Sequence, residues 1–251
     1  MREKVLLSGD SNTSKSNSII SLAFIYPQQW VHVFDPDDGI AKLLMEYGAT
    51  PETLPNLKLI PVKKDFKELL ANYELSKATL RENDWLCFDM INRFWDLAQN
   101  YWSSVKYGKN IIDRLVELAQ AGQSTAFSGM DGTADWPFIK RLHNEALMDD
   151  AFLFQPFNIM ATAGVKNFSP REKLPKKGMA SIYANEFGVK PEGEKGNIYR
   201  ADTQAIVSRT IEGQYKFNLV RDRGRTVDPK QEFDMTGSNF WSVYMAYRGL
   251  S

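Results

Sequence analysis

The sequence predicts an α/β fold in which a mostly parallel central sheet is flanked by helices. Short apolar runs typical of buried strands alternate along the chain with segments of helical apolar spacing. Polar turns separate the two kinds of segment, and alternation of this kind favours a parallel sheet. The 251 residues are 43% hydrophobic and 25% charged, a balance typical of globular chains. Neither an internal repeat nor a clear linker divides the chain, so we expect one domain over 1–251.

The predicted elements follow one another in a regular order. Strands are expected at 4–8, 30–34, 57–62, 84–89, 157–162, 205–210 and 215–220. Helices are expected at 19–25, 40–47, 66–80, 91–101, 109–121 and 136–148. A Gly/Ser/Asp-rich loop covers 122–135, a long polar segment at 164–197 is expected to leave the core as an excursion, and 226–251 is expected to form a C-terminal tail.

Charge and cysteine content exclude several classes of protein. The 31 Lys plus Arg balance 31 Asp plus Glu, which excludes a uniformly basic coat for nucleic acid. Residues 1–160 nevertheless hold 16 basic and 21 acidic side chains, whereas 161–251 hold 15 and 10. Cys87 is the only cysteine, so no intrachain disulfide can form. No apolar run approaches the roughly 20 residues of a membrane span, and we expect a cytoplasmic protein without membrane contact.

The turn after the first strand has the register of a phosphate-binding P-loop, G-x-x-x-x-G-K-[ST], with Ser14 in place of the second glycine. Backbone N–H groups of such a loop surround phosphates, a Lys neutralises them, and the Ser hydroxyl holds Mg²⁺. The pattern indicates ATP and Mg²⁺ as cofactors, with Ser16 on the metal. The alternative is a solvated strand–helix turn. The candidate nucleotide-binding residues are Gly9, Asp10, Ser11, Asn12, Thr13, Ser14, Lys15, Ser16 and Asn17.

Carboxylates follow two other predicted strands. Asp89 closes the strand at 84–89, the position of a Mg²⁺-side acid that strand order would place beside the P-loop. Asp35, Asp37 and Asp38 follow the second strand, at the sheet edge where α/β folds place active sites. One of them is expected to orient or deprotonate an attacking water. A Pro-Asp-Asp-Gly turn without a catalytic role is the alternative.

Two basic segments lie in the second part of the chain. Arg221, Arg223 and Arg225 follow the last predicted strand, either as a solvated turn or as an arginine finger that reaches a neighbouring subunit's phosphate. The stretch 166–178 carries five basic residues, one acid and an aromatic, a composition suited to a nucleic-acid backbone with base stacking, although most charge runs are solvated loops. The candidate DNA-binding residues are Lys166, Phe168, Arg171, Lys173, Lys176 and Lys177.

The order of these motifs resembles that of RecA-type ATPases over residues 4–226. Its motifs are similar to those of compact, single-core RecA-like ATPases of bacteriophages, a group linked to single-strand annealing and recombination. Asp135-Trp136 and the stretches 190–195 and 202–203 also resemble that group. The resemblance implies that Asp89 lies on the Mg²⁺ side and that Asp37 takes the place of the catalytic glutamate. It implies that Arg221 or Arg223 acts across a subunit interface in a ring or filament.

The same resemblance implies single-stranded DNA as a partner, with contacts from the loop after residue 162, and makes a single-strand-binding protein a candidate partner. If the chain is phage-encoded, the host cytoplasm is its location. Three departures from the pattern point toward slow hydrolysis, or toward binding without hydrolysis. Ser14 adds a Cβ, Asp37 is shorter than Glu so that Asp38 is a substitute, and only Thr162 is available as a phosphate sensor. The rival functions are a nucleotide-binding module without hydrolysis and a motor for DNA translocation or packaging.

Overall fold

A computed structural model describes residues 2–50, 52–63, 65–123, 129–131, 133–169 and 172–250. The strands are β1 Lys4–Gly9, β2 Val31–Phe34, β3 Leu57–Ile60, β4 Trp85–Phe88, β5 Asn158–Ala163, β6 Val165–Asn167, β7 Val189–Pro191, β8 Thr203–Arg209, β9 Tyr215–Asp222 and β10 Glu232–Asp234. The helices are α1 Lys15–Ile25, α2 Gly39–Glu46, α3 Phe66–Thr79, α4 Ile91–Tyr107, α5 Ile111–Gln120, α6 Asp135–His143, α7 Met179–Phe187, α8 Asn197–Arg200 and α9 Phe240–Arg248.

Eight strands form the central sheet in the order β3-β2-β4-β5-β1-β8-β9-β10. The first six are mutually parallel, and β9 and β10 extend the sheet as antiparallel strands. The predicted class, an α/β fold with a mostly parallel sheet flanked by helices, is confirmed, and the RecA-like assignment stays a prediction. One detail differs from the prediction, because β5 lies between β1 and β4 and separates these two strands by about two strand spacings, or about 10 Å.

The helices cover both faces of the sheet because neighbouring strand residues point to opposite sides. Val5 and Leu7 of β1 pack with α1, α2 and α9, whereas Leu6 packs in the second core with α3, α4 and α6. Buried Cys87 belongs to the first core, as its apolar strand predicts. Burying one such aliphatic or aromatic side chain stabilises the fold by about 1.5–3 kcal/mol. The two cores hold the strand ends at fixed positions, and those ends carry the candidate site.

The segments at 164–197 and 226–251 are more ordered than their polar sequence predicts. The excursion contains the antiparallel β6–β7 hairpin and α7, whose Tyr183 and Ala184 are buried against the core. The tail supplies β10 and α9, and Trp241 of α9 donates from Nε1 to the Ser18 carbonyl oxygen, 3.0 Å away. In both segments a few apolar residues at helical spacing outweigh the polar majority.

One further difference concerns the end of a helix. The predicted helix at 136–148 begins as α6 and continues through π-helical turns, Asn144–Met148 and Asp150–Phe154. The Gly/Ser/Asp-rich loop expected at 122–135 includes 124–128 and 132, which lie outside the described residues.

In the part of the chain that the structure describes, no helix is long and apolar enough to cross a membrane.

Candidate nucleotide and magnesium site

The loop between β1 and α1 turns through two left-handed residues. Asn12 has a φ of 57° and Ser14 a φ of 72°, so Ser14 adopts the conformation that a glycine takes at no steric cost. The Ser14 side chain forms no capping hydrogen bond with α1 that would offset this strain. At position 9, by contrast, a glycine is required for steric reasons, because a Cβ there would collide with the carbonyl oxygen of Val207 on β8.

Lys15 begins α1 and folds back over the loop. Its side chain is buried, and Nζ donates to the carbonyl oxygens of Gly9 at 3.0 Å and Asp10 at 2.6 Å and to Thr13 Oγ1 at 3.3 Å. Burial lowers the pKa of the ammonium, while the charges of Asp89, Asp10 and Glu192 oppose this lowering. The loop thus encloses a cation at the amino end of a helix, an environment that favours an anion.

Asp89 follows β4 and links the end of that strand with the beginning of α1 and the end of β5. Ser16 Oγ donates to Asp89 Oδ2 at 2.6 Å, and Thr162 at the end of β5 donates from Oγ1 to Asp89 Oδ1. Burial raises the pKa of Asp89, and these two hydrogen bonds and the Lys15 charge oppose that rise. The β1–α1 loop therefore spans the width of β5, so that Ser16 contacts Asp89 although β1 and β4 are not neighbours in the sheet.

The residues present fit a magnesium ion. Mg²⁺ prefers hard oxygen ligands and is bound in proteins by one or two carboxylates together with phosphates and water. A hydroxyl and a buried carboxylate, Ser16 Oγ and Asp89 Oδ2, already converge to hydrogen-bond distance. These two groups would hold the ion, whose positive charge would offset the cost of keeping the Asp89 carboxylate ionised in the interior.

The acidic turn after β2 separates into three environments. Asp35 is buried, accepts the Ile40 N–H at 2.7 Å, and has its other oxygen, Oδ1, buried without a hydrogen-bond partner among the described residues. Asp37 is exposed and forms an ion pair with Arg93 at 2.9 Å. Asp38 is exposed at the start of α2, with a left-handed φ of 54°. The catalytic roles expected for Asp37 and Asp38 stay predictions.

Three side chains at the rim of the site were missed by the sequence analysis. Arg93 and Asn92 begin α4, and Asn92 Nδ2 donates to Glu192 Oε2 at 3.4 Å. Glu192 comes from the far end of the excursion, directly after β7. Its place beside the P-loop could not be anticipated, because it lies 100 positions from Asn92 in the chain and arrives only through the fold of the hairpin.

The arginine segment lies at the opposite end of the sheet from the P-loop. Asp222 pairs with Thr203, the first residue of β8, and Arg223 forms an ion pair with Asp202 at 2.9 Å. The Asp202 N–H in turn donates to the carbonyl oxygen of Lys4, where β1 begins. The P-loop follows the other end of β1, about 17 Å away at 3.3 Å per residue. Arg221 and Arg223 are therefore remote from the P-loop of their own chain.

Four of the six predicted DNA-binding residues are exposed cations. Within the described part of the chain, Lys166, Lys173, Lys176 and Lys177 have no carboxylate oxygen within ion-pair distance, whereas Lys190 is paired with Glu172. Phe168 is partly buried, with Lys190 Nζ 5.1 Å from its ring centroid. Lys173 and Lys176 line an open cavity of about 630 Å³. Arg171 lies outside the described residues.

No family model matches the sequence, and no curated protein matches it. Among solved structures, the crystal structure of the RadB recombinase is similar to this chain, with 16% identity and a TM-score of 0.46. The similarity covers 93% of this chain and 87% of that one. This degree of similarity does not identify a function. The functional assignment rests on the contacts described above.

The strain at Ser14 leads to a test of the loop geometry. We expect Ser14→Gly to raise the free energy of unfolding by about 1 kcal/mol, because glycine removes a left-handed penalty of about 1–2 kcal/mol and loses part of the gain to backbone entropy. The matched control Ser14→Ala keeps the Cβ and should stay within about 0.5 kcal/mol of the wild type. Urea unfolding followed by circular dichroism measures both. Equal stability of the two variants would show that residue 14 is not left-handed in solution.

Proposed function

We propose that this chain is a Mg²⁺-dependent ATPase with a RecA-like core that acts on single-stranded DNA in bacteriophage recombination or replication. The observation that carries the proposal is the meeting of the P-loop with Asp89: Ser16 Oγ lies 2.6 Å from Asp89 Oδ2, beside the buried Lys15 ammonium. The order of the sequence motifs supports the phage context, and with it the host cytoplasm as the location.

Lys15 and the loop would bind the β- and γ-phosphates. Phosphate oxygens would take over the Lys15 hydrogen bonds that the carbonyl oxygens of Gly9 and Asp10 now accept. An anionic phosphate oxygen adds a Coulombic attraction to the ammonium that a neutral carbonyl oxygen lacks, so this exchange favours the bound nucleotide. Mg²⁺, when bound at Ser16 and Asp89, neutralises phosphate charge. Thr162 would keep Asp89 oriented, since it already donates to Oδ1.

Hydrolysis would proceed by in-line attack of water on the γ-phosphate, with positioning and electrostatics as the main contributions. Asp37 or Asp38 would orient the water, as the sequence resemblance implies. Arg221 or Arg223 would act on a neighbouring copy, which requires a ring or a filament. The separation of these arginines from their own P-loop supports action between subunits, since Arg223 is held at the beginning of β8 by Asp202.

Single-stranded DNA would bind along the excursion. The cations Lys166, Lys173, Lys176 and Lys177 are exposed and unpaired within the described residues, which leaves their charge available for phosphates. The carboxylate of Glu172 is already taken by Lys190 and does not compete with the DNA. A single-strand-binding protein remains the candidate partner for delivery of the strand.

Turnover of ATP with and without single-stranded DNA tests the proposed enzyme. We expect DNA to stimulate the wild type and Lys15→Ala to lower turnover by about 10²–10³-fold, because it removes a preorganised charge from the phosphates. Lys42→Ala, an exposed lysine on α2, is the matched control and should behave as the wild type. Radiolabelled phosphate release measures the rate, and equilibrium dialysis measures ATP binding.

The outcomes separate the rival functions. If ATP binds to the wild type but its turnover equals that of Lys15→Ala, the chain is a nucleotide-binding module without hydrolysis. If ATP does not bind at all, the P-loop assignment is wrong. Turnover coupled to movement along DNA, seen as displacement of a roadblock protein, would favour the translocation motor instead.

Charge reversal in the excursion tests the DNA site. We expect the triple variant Lys173→Glu, Lys176→Glu and Lys177→Glu to weaken binding of single-stranded DNA and to reduce the slope of log K against log salt by about 2, at about 0.7 per lost phosphate contact. Fluorescence anisotropy of a labelled oligonucleotide at several salt concentrations measures the slope. The matched control reverses three exposed lysines on α2, β3 and α3, namely Lys42, Lys58 and Lys67. An unchanged slope in the first variant would refute this segment as the DNA contact.

A further inference from the structure

Glu192 is anchored at the end of β5 by its backbone and by its side chain. Its N–H donates to the carbonyl oxygen of Gly164 at 2.8 Å, where the β6–β7 hairpin leaves and rejoins the core. The carboxylate lies directly over Gly164, because a Cβ on that residue would collide with Glu192 Oε2. The absence of a side chain at position 164 therefore makes room for this carboxylate.

This position belongs to the candidate nucleotide site. Gly164 is two residues beyond Thr162, which donates to Asp89, and Asn92, which donates to Glu192, is three residues beyond Asp89. The negative charge of Glu192 is also one of those that oppose the lowering of the Lys15 pKa by burial. Glu192 thus lies near the strand ends that carry Thr162 and Asp89, close enough to Lys15 for their charges to interact.

Glu192 also differs from the other acids of the rim in its partners. Asp37 is held in an ion pair with Arg93 at 2.9 Å. Asp35 caps α2 through Oδ2, and Asp89 is occupied by Ser16 and Thr162. Among the described residues Glu192 has no cation within ion-pair distance and accepts only the long hydrogen bond from Asn92. Of these four carboxylates, Glu192 makes the longest and therefore the weakest polar contact.

We propose that Glu192 is the carboxylate that accepts a proton from the water attacking the γ-phosphate, in the place for which Asp37 is the sequence candidate. This assignment rests on the proposed ATPase function. The water oxygen forms a bond to the γ-phosphorus, the bond from that phosphorus to the bridging oxygen breaks, and its electron pair leaves on ADP. The proton passes from the water to Glu192 and then to phosphate or solvent.

The geometry gives a reason why Glu192, and not Asp37, would accept the proton. An aspartate at position 37 has a carboxylate one methylene closer to its backbone than a glutamate, and Arg93 holds it at the exposed edge. Glu192 enters from the excursion instead, on a backbone fixed by the Gly164 carbonyl. The excursion therefore contributes a group to the nucleotide site as well as the exposed lysines.

The test compares Glu192→Gln with Asp37→Asn in the full-length chain. We expect Glu192→Gln to lower turnover by about 10²–10⁴-fold, the usual contribution of a general base, while the Kd for ATP changes less than about threefold. In a rapid-quench experiment with limiting labelled ATP, this variant should retain intact ATP where the wild type holds ADP. Asp96→Asn removes a charge from the same rim and is the matched control, with turnover like the wild type.

A second variant covers loss of folding or of local structure. Gly164→Ala should displace the Glu192 carboxylate and lower turnover while ATP still binds, and circular dichroism confirms that each variant is folded. If Glu192→Gln turns over ATP like Asp96→Asn, or if Asp37→Asn alone retains unhydrolysed ATP, the assignment to Glu192 is wrong although the ATPase stands. If Lys15→Ala has the turnover of the wild type, the proposed function itself fails.

Discussion

The buried carboxylate of Asp89 is the group on which the site depends. It accepts hydrogen bonds from Ser16 on α1 and Thr162 on β5, and so connects the P-loop with the ends of β5 and β4. Burial raises the pKa of this carboxylate, and these two donors and the Lys15 charge oppose that rise. The same arrangement leaves Ser16 and Asp89 ready to exchange their hydrogen bond for a hard cation, which joins the stability of the site to its proposed chemistry.

Local chemistry made part of the site predictable. The register of Gly9 to Ser16, the strand before it and the acid after the apolar run 85–88 are short-range signals, and the structure brings Ser16 and Asp89 together. The left-handed φ of Ser14 follows from the glycine that the motif has at that position. The α/β class was predictable for the same reason, because apolar periodicity within each segment decides strand or helix before any long-range contact forms.

The remainder depends on contacts between distant residues, which a single sequence does not encode locally. The insertion of β5 between β1 and β4 is a matter of strand order. The pairing of Asp37 with Arg93 joins two different loops, and Glu192 reaches Asn92 only because β6 and β7 form a hairpin. The structure also shows where some of the acidic residues of 1–160 and the basic residues of 161–251 lie. Asp35, Asp37 and Asp89 lie at the strand ends near the P-loop, whereas Arg221 and Arg223 lie at the opposite strand ends, as the proposed action between copies requires.

The central claim, that the β1–α1 loop and Asp89 form an ATP and Mg²⁺ site, is tested most directly by a crystal structure with a non-hydrolysable ATP analogue and Mg²⁺. We predict that Lys15 Nζ leaves the carbonyl oxygens of Gly9 and Asp10 for phosphate oxygens, and that the ion replaces the hydrogen bond between Ser16 and Asp89. A nucleotide bound elsewhere, or a Lys15 that keeps its loop contacts in a crystal saturated with the analogue, would contradict it.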